Sequence, residues 1–214
     1  EGAVCGVDVR GGGPGTRETD LLNPINMIQK VHAVVLSGGS AFGLESTCGV
    51  SKYLEENNIG FDVGVAKVPI VVGAVLFDLG VGNPKSRPNI EMGYRACQVA
   101  SDTKLNQGNF GAGRGATVGK IKGIEYAMKG GIGSHSIKLP NGLVVSALVA
   151  VNAFGDVYEN GKVIAGVMDD EKKNVLNSYE LMKNGVNKGG FSIDNTTIGI
   201  IATNAKLDKA QCKK

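Results

Sequence analysis

Two strand-forming runs, "GGIGSHSIKL" and "GLVVSALVAVNAFGD", flank the Pro140-Asn141-Gly142 tripeptide, and this spacing is the signature of an antiparallel hairpin. The hairpin comes late. Earlier, "VHAVVLSGGSAFGLESTCGVSKYLEENNIG" reads as a short apolar strand, a Ser-Gly-Gly-Ser turn and a helix that starts near Ser40 and stops by Gly60. Leu44, Cys48 and Tyr53/Leu54 recur at helical spacing, which gives that helix one apolar face. A βα unit followed by a hairpin favours a layered α/β or α+β sandwich over an open doubly wound sheet.

The remaining segments fit one domain over residues 1–214. Residues 2–9 read as a strand, and the glycines and prolines of "RGGGPGTRETDLLNP" exclude regular structure after it. "VGVAKVPIVVGAVLFDLG" carries one or two buried strands broken at Pro69, and "RPNIEMGYRACQVAS" is a second amphipathic helix with Pro88 in its first turn. A glycine-dense loop, "GNFGAGRG", runs into a strand near Ala116 to Ile121. Residues 169–190 are polar and read as a mobile linker. They deliver the chain to a buried strand over Ile198 to Ala202, and then to a helix start capped by Asp208. Glu1 in place of Met, and a helix cut off at its first turns, point to truncation at both ends.

Composition removes several function classes. The net charge of +3 is spread over lysines scattered among acids, and aromatic residues make up only 5%, so the footprint of a nucleic-acid binder is missing. No apolar run reaches the roughly 18 residues of a spanning helix and no signal peptide opens the chain, so a soluble cytoplasmic protein is expected. Cys5, Cys48, Cys97 and Cys212 stand singly, without C-x-x-C spacing, and read as small buried hydrophobes. With only His32 and His135, a metal site has little to build on, and His32 reads as a core or strand-edge residue. Neither metal nor cofactor is expected.

Glycine is the unusual count, 33 residues, about twice the average share. "GAGRGA" at 111–116 satisfies G-x-G-x-x-A, but a strand-like run follows it where a dinucleotide fingerprint needs a helix. "GATVGKI" has Arg114 where a P-loop needs glycine. "SGGSAFG" has Phe42 where a nucleophile elbow needs glycine, and Ser40 there reads as a helix N-cap, with backbone N–H groups able to hold an anion. "NTT" at 195–197 is also a glycosylation sequon, of no use without secretion. Asn195-Thr196, after a glycine-rich approach and before a rigid strand, suits a self-cleaving chain; the alternative is an ordinary strand cap.

Taken together, "GVDVRGGGPGTRETDLL", "HAVVLSGGSAFGL", "GFDVGVAKVPIVVGAVLFDLG", "GAGRGATVGK", "KGGIGS", "ALVAVNAFGD" and "NTTIGIIATNAKL" resemble the DmpA-like peptidases, the L-aminopeptidase/D-esterase family that includes β-aminopeptidases and a nylon-oligomer hydrolase. The resemblance spans nearly the whole chain except residues 169–190. It implies an αββα sandwich of the DmpA/ornithine-acetyltransferase type and an N-terminal-nucleophile hydrolase that cuts itself between Asn195 and Thr196. Thr196 is then the nucleophile, Asn152 in "VAVNAFGD" an oxyanion donor, and Lys120 in "GATVGK" a cation near the nucleophile. The same resemblance implies small peptide or amide substrates and a homo-oligomer, a tetramer or larger. Two positions depart from the family pattern. Phe77 stands where some members have a tyrosine hydroxyl, and Asn204 stands where relatives often have aspartate, close to the site. Other partners of the nucleophile fall beyond the last residue. An ornithine-acetyltransferase-like acyltransferase, or a non-enzymatic small-molecule binder using glycine loops 37–43 and 108–115, are the alternatives.

Overall fold

The computed structural model describes residues 1–103, 105–186 and 195–214. Its first sheet begins with β1 (Gly15–Arg17) and β2 (Ala33–Ser37). A 3-10 turn over Ser40–Glu45 leads into α1 (Ser46–Glu56), and a small exposed hairpin of β3 (Phe61–Asp62) and β4 (Lys67–Val68) follows. β5 (Val71–Val75) then inserts between β1 and β2, antiparallel to the first and parallel to the second. Being central, β5 is apolar on both faces, whereas a strand exposed on one face would alternate. α2 (Ile90–Gln98) packs on α1 and starts at Asn89, whose side chain accepts the Met92 N–H at 2.9 Å.

The second half is antiparallel. β6 (Thr117–Val118) pairs with β7 (Met128–Lys129), and β8 (Gly131–Lys138) folds back on β9 (Val144–Asn152) through the Pro-Asn-Gly turn. A short hairpin of β10 (Val157–Glu159) and β11 (Lys162–Ala165) comes next, then α3 (Ser178–Lys183), capped by Asn177. β12 (Thr196–Thr203) returns to lie on the other side of β9, so the second sheet runs β12-β9-β8. α4 (Lys209–Lys213) begins at Asp208 with a full capping box. Among the described residues no helix is long and apolar enough to cross a membrane.

Period-2 alternation in β2 and β5 assigns each apolar side chain to a layer. Ala33, Val35 and Val71 face the helices and meet Val50, Leu54 and Cys97. Leu36 and the nearby Leu76 face the other way, against Ala112, Ala116, Ala150, Ile132 and Ile198. Ile198, Ala150 and Ile132 are register partners across the second sheet, one row pressed on the first sheet. Burying a side chain of this size stabilises by roughly 1.5–3 kcal/mol. A third cluster, Leu22, Val31, Ile70 and Val72, lies under the N-terminal segment. The described layers are therefore helix pair, sheet, sheet, the α–β–β part of an αββα sandwich, with Ile137, Val145 and Ile201 exposed on the outer side.

Several local expectations are corrected. Residues 2–9 form no strand; the segment makes a single bridge, Ala3 to Val31. The glycine-rich loop after it does contain regular structure, because β1 finds a partner in β5. The strand near 116–121 shortens to Thr117–Val118, since Gly119 has φ +74° and turns the chain. Ser40 does not cap a helix; at φ 53° it opens the 3-10 turn, and its N–H is taken by Leu76 O. Pro88 lies before the α2 cap, outside the first turn. The strand over Ile198 to Ala202 is half-buried on one face only, and Ile201 is 76% exposed. None of the four cysteines is fully buried and Cys48 is exposed, because α1 buries Ser46, Thr47, Gly49, Val50 and Leu54 instead of the face bearing Cys48. Over 169–186 the polar segment includes α3, and residues 187–190 lie outside the described set. The β10–β11 hairpin went unread, its strands being only three and four residues long, although Asn160-Gly161 between them is a two-residue hairpin signal. His32 stands at the start of the β2 edge, its Nδ1 accepting the Ile70 N–H at 3.1 Å.

The contact between α1 and α2 depends on small residues. A Cβ on Gly49 would lie 1.9 Å from Ile90 O, closer than any real contact. Alanine at an unhindered helix position is favoured over glycine by about 0.8–1 kcal/mol, but here the overpacking term of about 1–3 kcal/mol opposes it. Gly49→Ala is therefore expected to lower the urea midpoint, and a raised midpoint would show that the two helices do not meet at this point.

Candidate active site

Three segments converge where the second sheet meets the first. Asn152 is the last residue of β9 and Thr196 the first of β12, and the register sets them opposite one another. Opposed residues in an antiparallel pair have Cα atoms about 4.5–5.5 Å apart and side chains on the same face. That face is the inner one, shared with Ile198 and Ala150. Thr196 is half-buried there, while Asn152 is wholly buried.

Lys120 arrives from the turn after β6. Gly119 N–H donates to Gly155 O and Lys120 N–H to Phe154 O, both at 2.8 Å, which ties the turn to the chain just beyond β9. Only glycine fits at 119. Its φ is +74°, and a Cβ would lie 2.0 Å from Gly166 C and Val167 N. This tight passage delivers the Lys120 side chain into the interior, where the residue is 4% exposed.

The Asn152 amide is held at both ends. Its Oδ1 accepts from Lys120 Nζ at 2.9 Å, from Thr117 N–H at 3.0 Å and from Thr117 Oγ1 at 3.4 Å. Lys120 Nζ also reaches Asn152 O at 3.4 Å. Nδ2 donates to Phe77 O at 2.7 Å, across from the first sheet. The acceptor at Phe77 is its backbone carbonyl, so an aromatic side chain that can donate nothing still belongs to a residue that orients the site. A buried ammonium is costly unless oxygen atoms replace its water, and carbonyl oxygens of Asn152 do so here.

A hydroxyl, an amide of fixed plane and a buried cation, gathered on one face, are the groups acyl transfer uses: a nucleophile, a donor to a developing oxyanion and a charge that keeps a nearby amine neutral. Thr196, Asn152 and Lys120 are thus brought together, and Asn195 stands exposed just before Thr196. Thr117 and Asp78, which carry much of the geometry, went unread, although Asp78 directly follows Phe77 and Thr117 lies three residues before Lys120. Asn204 is corrected. Its Oδ1 accepts Val144 N–H at 2.8 Å and its Nδ2 donates to Gly142 O at 3.0 Å, at the far end of β12. Eight residues of strand separate it from Thr196 by roughly 27 Å. The glycine loops considered for ligand binding have several N–H groups already engaged, Gly39 with Asp78 Oδ1 at 2.7 Å, Ser40 with Leu76 O at 3.0 Å, and Gly108 and Gly113 with Ile132 O and Phe110 O at 2.8 Å. Among the described residues no group of three His, Cys, Asp or Glu is placed to hold a metal ion.

Asn152→Ala would strip partners from Phe77 O and Thr117 N–H in a dry setting, at roughly 1–3 kcal/mol for each, and would take one oxygen atom from around the buried Lys120 ammonium. The urea midpoint should fall by an amount corresponding to about 3 kcal/mol or more, with the slope unchanged. Asn204→Ala, whose partners water can replace, should cost about 1 kcal/mol or less. Equal losses in the two variants would contradict the buried network.

Comparison with known proteins gives a consistent result. The description "Peptidase family S58" matches residues 1–214. An uncharacterized aminopeptidase of Mycobacterium leprae (strain TN) is 44% identical over 223 residues, covering 100% of this chain and 60% of that protein. A 6-aminohexanoate-oligomer endohydrolase of Kocuria sp. (strain KY2) is 27% identical, covering 98% of this chain and 57% of that protein. The chain therefore spans about 60% of the length of the curated relatives it matches. Among solved structures, the PH0078 protein from Pyrococcus horikoshii OT3 aligns with a TM-score of 0.63 and a Burkholderia sp. beta-aminopeptidase with 0.59, each at 20% identity over 98% of this chain and 52% of theirs. These two likenesses are of fold.

Proposed function

The chain belongs to peptidase family S58, and from that membership we propose that it is a self-processing hydrolase of amide or ester bonds in small peptides or amino-acid derivatives, with Thr196 as nucleophile. The observation that carries this reading is the opposition of Thr196 and Asn152 across the β9–β12 ladder, with Lys120 Nζ on the Asn152 amide. The names of its relatives, aminopeptidase and 6-aminohexanoate-oligomer endohydrolase, are those of hydrolases.

In the first reaction Thr196 Oγ1 attacks the Asn195 carbonyl carbon. The carbon–nitrogen bond breaks, the amine keeps the hydroxyl proton, and an ester joins Asn195 to Oγ1. Water opens that ester, leaving a carboxylate on Asn195 and a free α-amine on Thr196. This amine is the base the hydroxyl lacked, with an ordinary pKa of about 7.7–8.0. The Lys120 cation beside it favours the neutral form.

In turnover the amine takes the hydroxyl proton as Oγ1 attacks a substrate carbonyl, and Asn152 Nδ2–H donates to the oxyanion. The leaving amine collects the proton, an acyl-threonine remains, and water releases it. Because Phe77 O and Thr117 already fix the amide plane, the donor needs no reorganisation as charge develops. A homo-oligomer acting on a small substrate completes the reading.

Denaturing mass spectrometry of freshly made protein should show two fragments that divide at Asn195-Thr196, and Thr196→Ala should stay at full mass. An uncut wild type, or a variant cut equally well, would refute the assignment. Peptide p-nitroanilides should be hydrolysed, while acyl transfer from N-acetylornithine to glutamate should be absent.

Lys120→Met gives a separate outcome. The acid limb of kcat/KM reports the free amine, so activity rises with pH as the amine loses its proton. Removing the neighbouring cation should move that limb to higher pH. A limb that does not move would mean that Lys120 does not act on the amine.

A further inference from the structure

We propose that Asp78 is a positioning residue for this site, holding the Asn152 amide by both of its ends through the Phe77 carbonyl and the loop that leads to Thr117; the proposal rests on the reading of Asn152 as oxyanion donor. Asp78 follows Phe77 directly, and Phe77 O is the acceptor of Asn152 Nδ2–H. The Asp78 carboxylate reaches back across 39 residues of sequence, its Oδ1 accepting Gly39 N–H at 2.7 Å. Its other oxygen lies between two glycines. A Cβ on Gly38 would come within 2.3 Å of Oδ2, and one on Gly115 within 2.1 Å.

Those contacts explain two glycine-dense stretches at once. The turn that ends β2 and the loop that precedes β6 close on one carboxylate, and with Asp78 in this position a Cβ at Gly38 or Gly115 would collide with it. Gly115 is two residues before Thr117, whose N–H holds Asn152 Oδ1. One side chain therefore stations both the acceptor of Nδ2–H and a donor to Oδ1. The Lys129 amine belongs to the same cluster. It donates to Arg114 O, and although burial lowers its pKa overall, the Asp78 charge acts to raise it. Lys129 is also the register partner of Thr117, so the Asp78 charge is felt beside the same short ladder.

An aspartate that only made a turn would accept an N–H two or three residues onward. Asp78 bonds a distant segment instead, and its bond fixes the corner that carries Phe77 O. Loss of that bond frees the corner to rotate, and a displacement of about 1 Å at a reacting centre costs on the order of 100-fold in rate.

Two measurements test this. In the first, self-cleavage rates and, for processed enzyme, kcat and KM on a peptide p-nitroanilide are compared for wild type, Asp78→Ala and Asp78→Asn. Asp78→Ala should lose kcat by on the order of 100-fold with KM within about threefold, and Asp78→Asn, which keeps an acceptor for Gly39 N–H, should recover most of it. In the second, the Asn152 side-chain NH2 resonances are followed by NMR in the Thr196→Ala chain, where no catalysis is needed. Adding Asp78→Ala should shift them and speed their hydrogen exchange, and adding Asp78→Asn should not. Unmoved resonances, a loss confined to KM, or no rescue by asparagine would overturn the proposal. Should Asp78→Ala fail to fold, Asp78→Ser, too short to reach Gly39 N–H, is read by the same criteria. A wild type that neither cuts itself nor hydrolyses the substrate would sink the Thr196 reading, while the NMR comparison would still decide whether Asp78 holds Asn152.

Discussion

One buried amide connects the segments that meet at the candidate site. Asn152 belongs to β9, yet its hydrogen bonds run to Phe77 at the end of the first sheet and to Thr117 and Lys120 beside β6. A hydrophobic row, Ile198, Ala150 and Ile132, presses the two sheets together immediately behind it. Apolar packing sets how close the sheets come and leaves their sliding weakly opposed. Directional bonds to a side chain with no access to water fix their relative position, because each lost partner carries a desolvation penalty.

The protein places a second lysine in the same physical situation, and the comparison separates structure from chemistry. Lys209 is 3% exposed, and its Nζ donates to Leu21 O, Asn26 O and Ile28 O at 3.1, 3.0 and 2.8 Å. Three backbone carbonyls converge on that ammonium and tie α4 to the loop after β1. Lys120 is solvated in part by the side-chain amide of Asn152, a residue paired across the ladder with the half-buried Thr196. Both burials are stabilised by oxygen atoms, but only Lys120 bonds a residue that is the register partner of the proposed nucleophile. Burial of a cation is thus not in itself a sign of function; what lies on the far side of its partner decides.

Legibility followed locality. The β8–β9 hairpin, the α1 unit and the cap at Asp208 are encoded within a few residues, and each was visible in turn residues or periodicity. Thr196 stood out by its place between a glycine-rich approach and a strand, but Asn152 and Lys120 were singled out only through family resemblance, since nothing in their spacing reveals that β12 returns to pair with the free side of β9. Asp78 was invisible for a related reason. Its partners are glycines at positions 38, 39 and 115, and glycine marks a close approach without naming what approaches. Cys48 misled in the opposite direction, because α1 meets α2 through small residues such as Gly49, so the buried face of the helix is not its most apolar one. Asn204 misled because nearness in sequence was taken for nearness in space, and an extended strand separates its ends as fast as a chain can.

The location of the proposed cut has a mechanical logic. A chain that severs itself must keep its new terminus where the chemistry happens, although breaking the backbone removes the constraint that placed it there. β12 meets that requirement. From Thr197 to Thr203 it remains paired residue for residue with Val151 back to Val145, and Asn204 and Thr203 bond the hairpin end of β9 through their side chains. Cleavage just before Thr196 therefore removes no ladder partner, and the freed amine stays registered opposite Asn152. A cut two residues later would leave the nucleophile on the outgoing segment, and one several residues earlier would hang the amine on a tether whose conformational freedom dilutes it away from the hydroxyl it must serve. The first residue of a strand pinned at its far end is where a backbone can be broken without moving the atom that broke it.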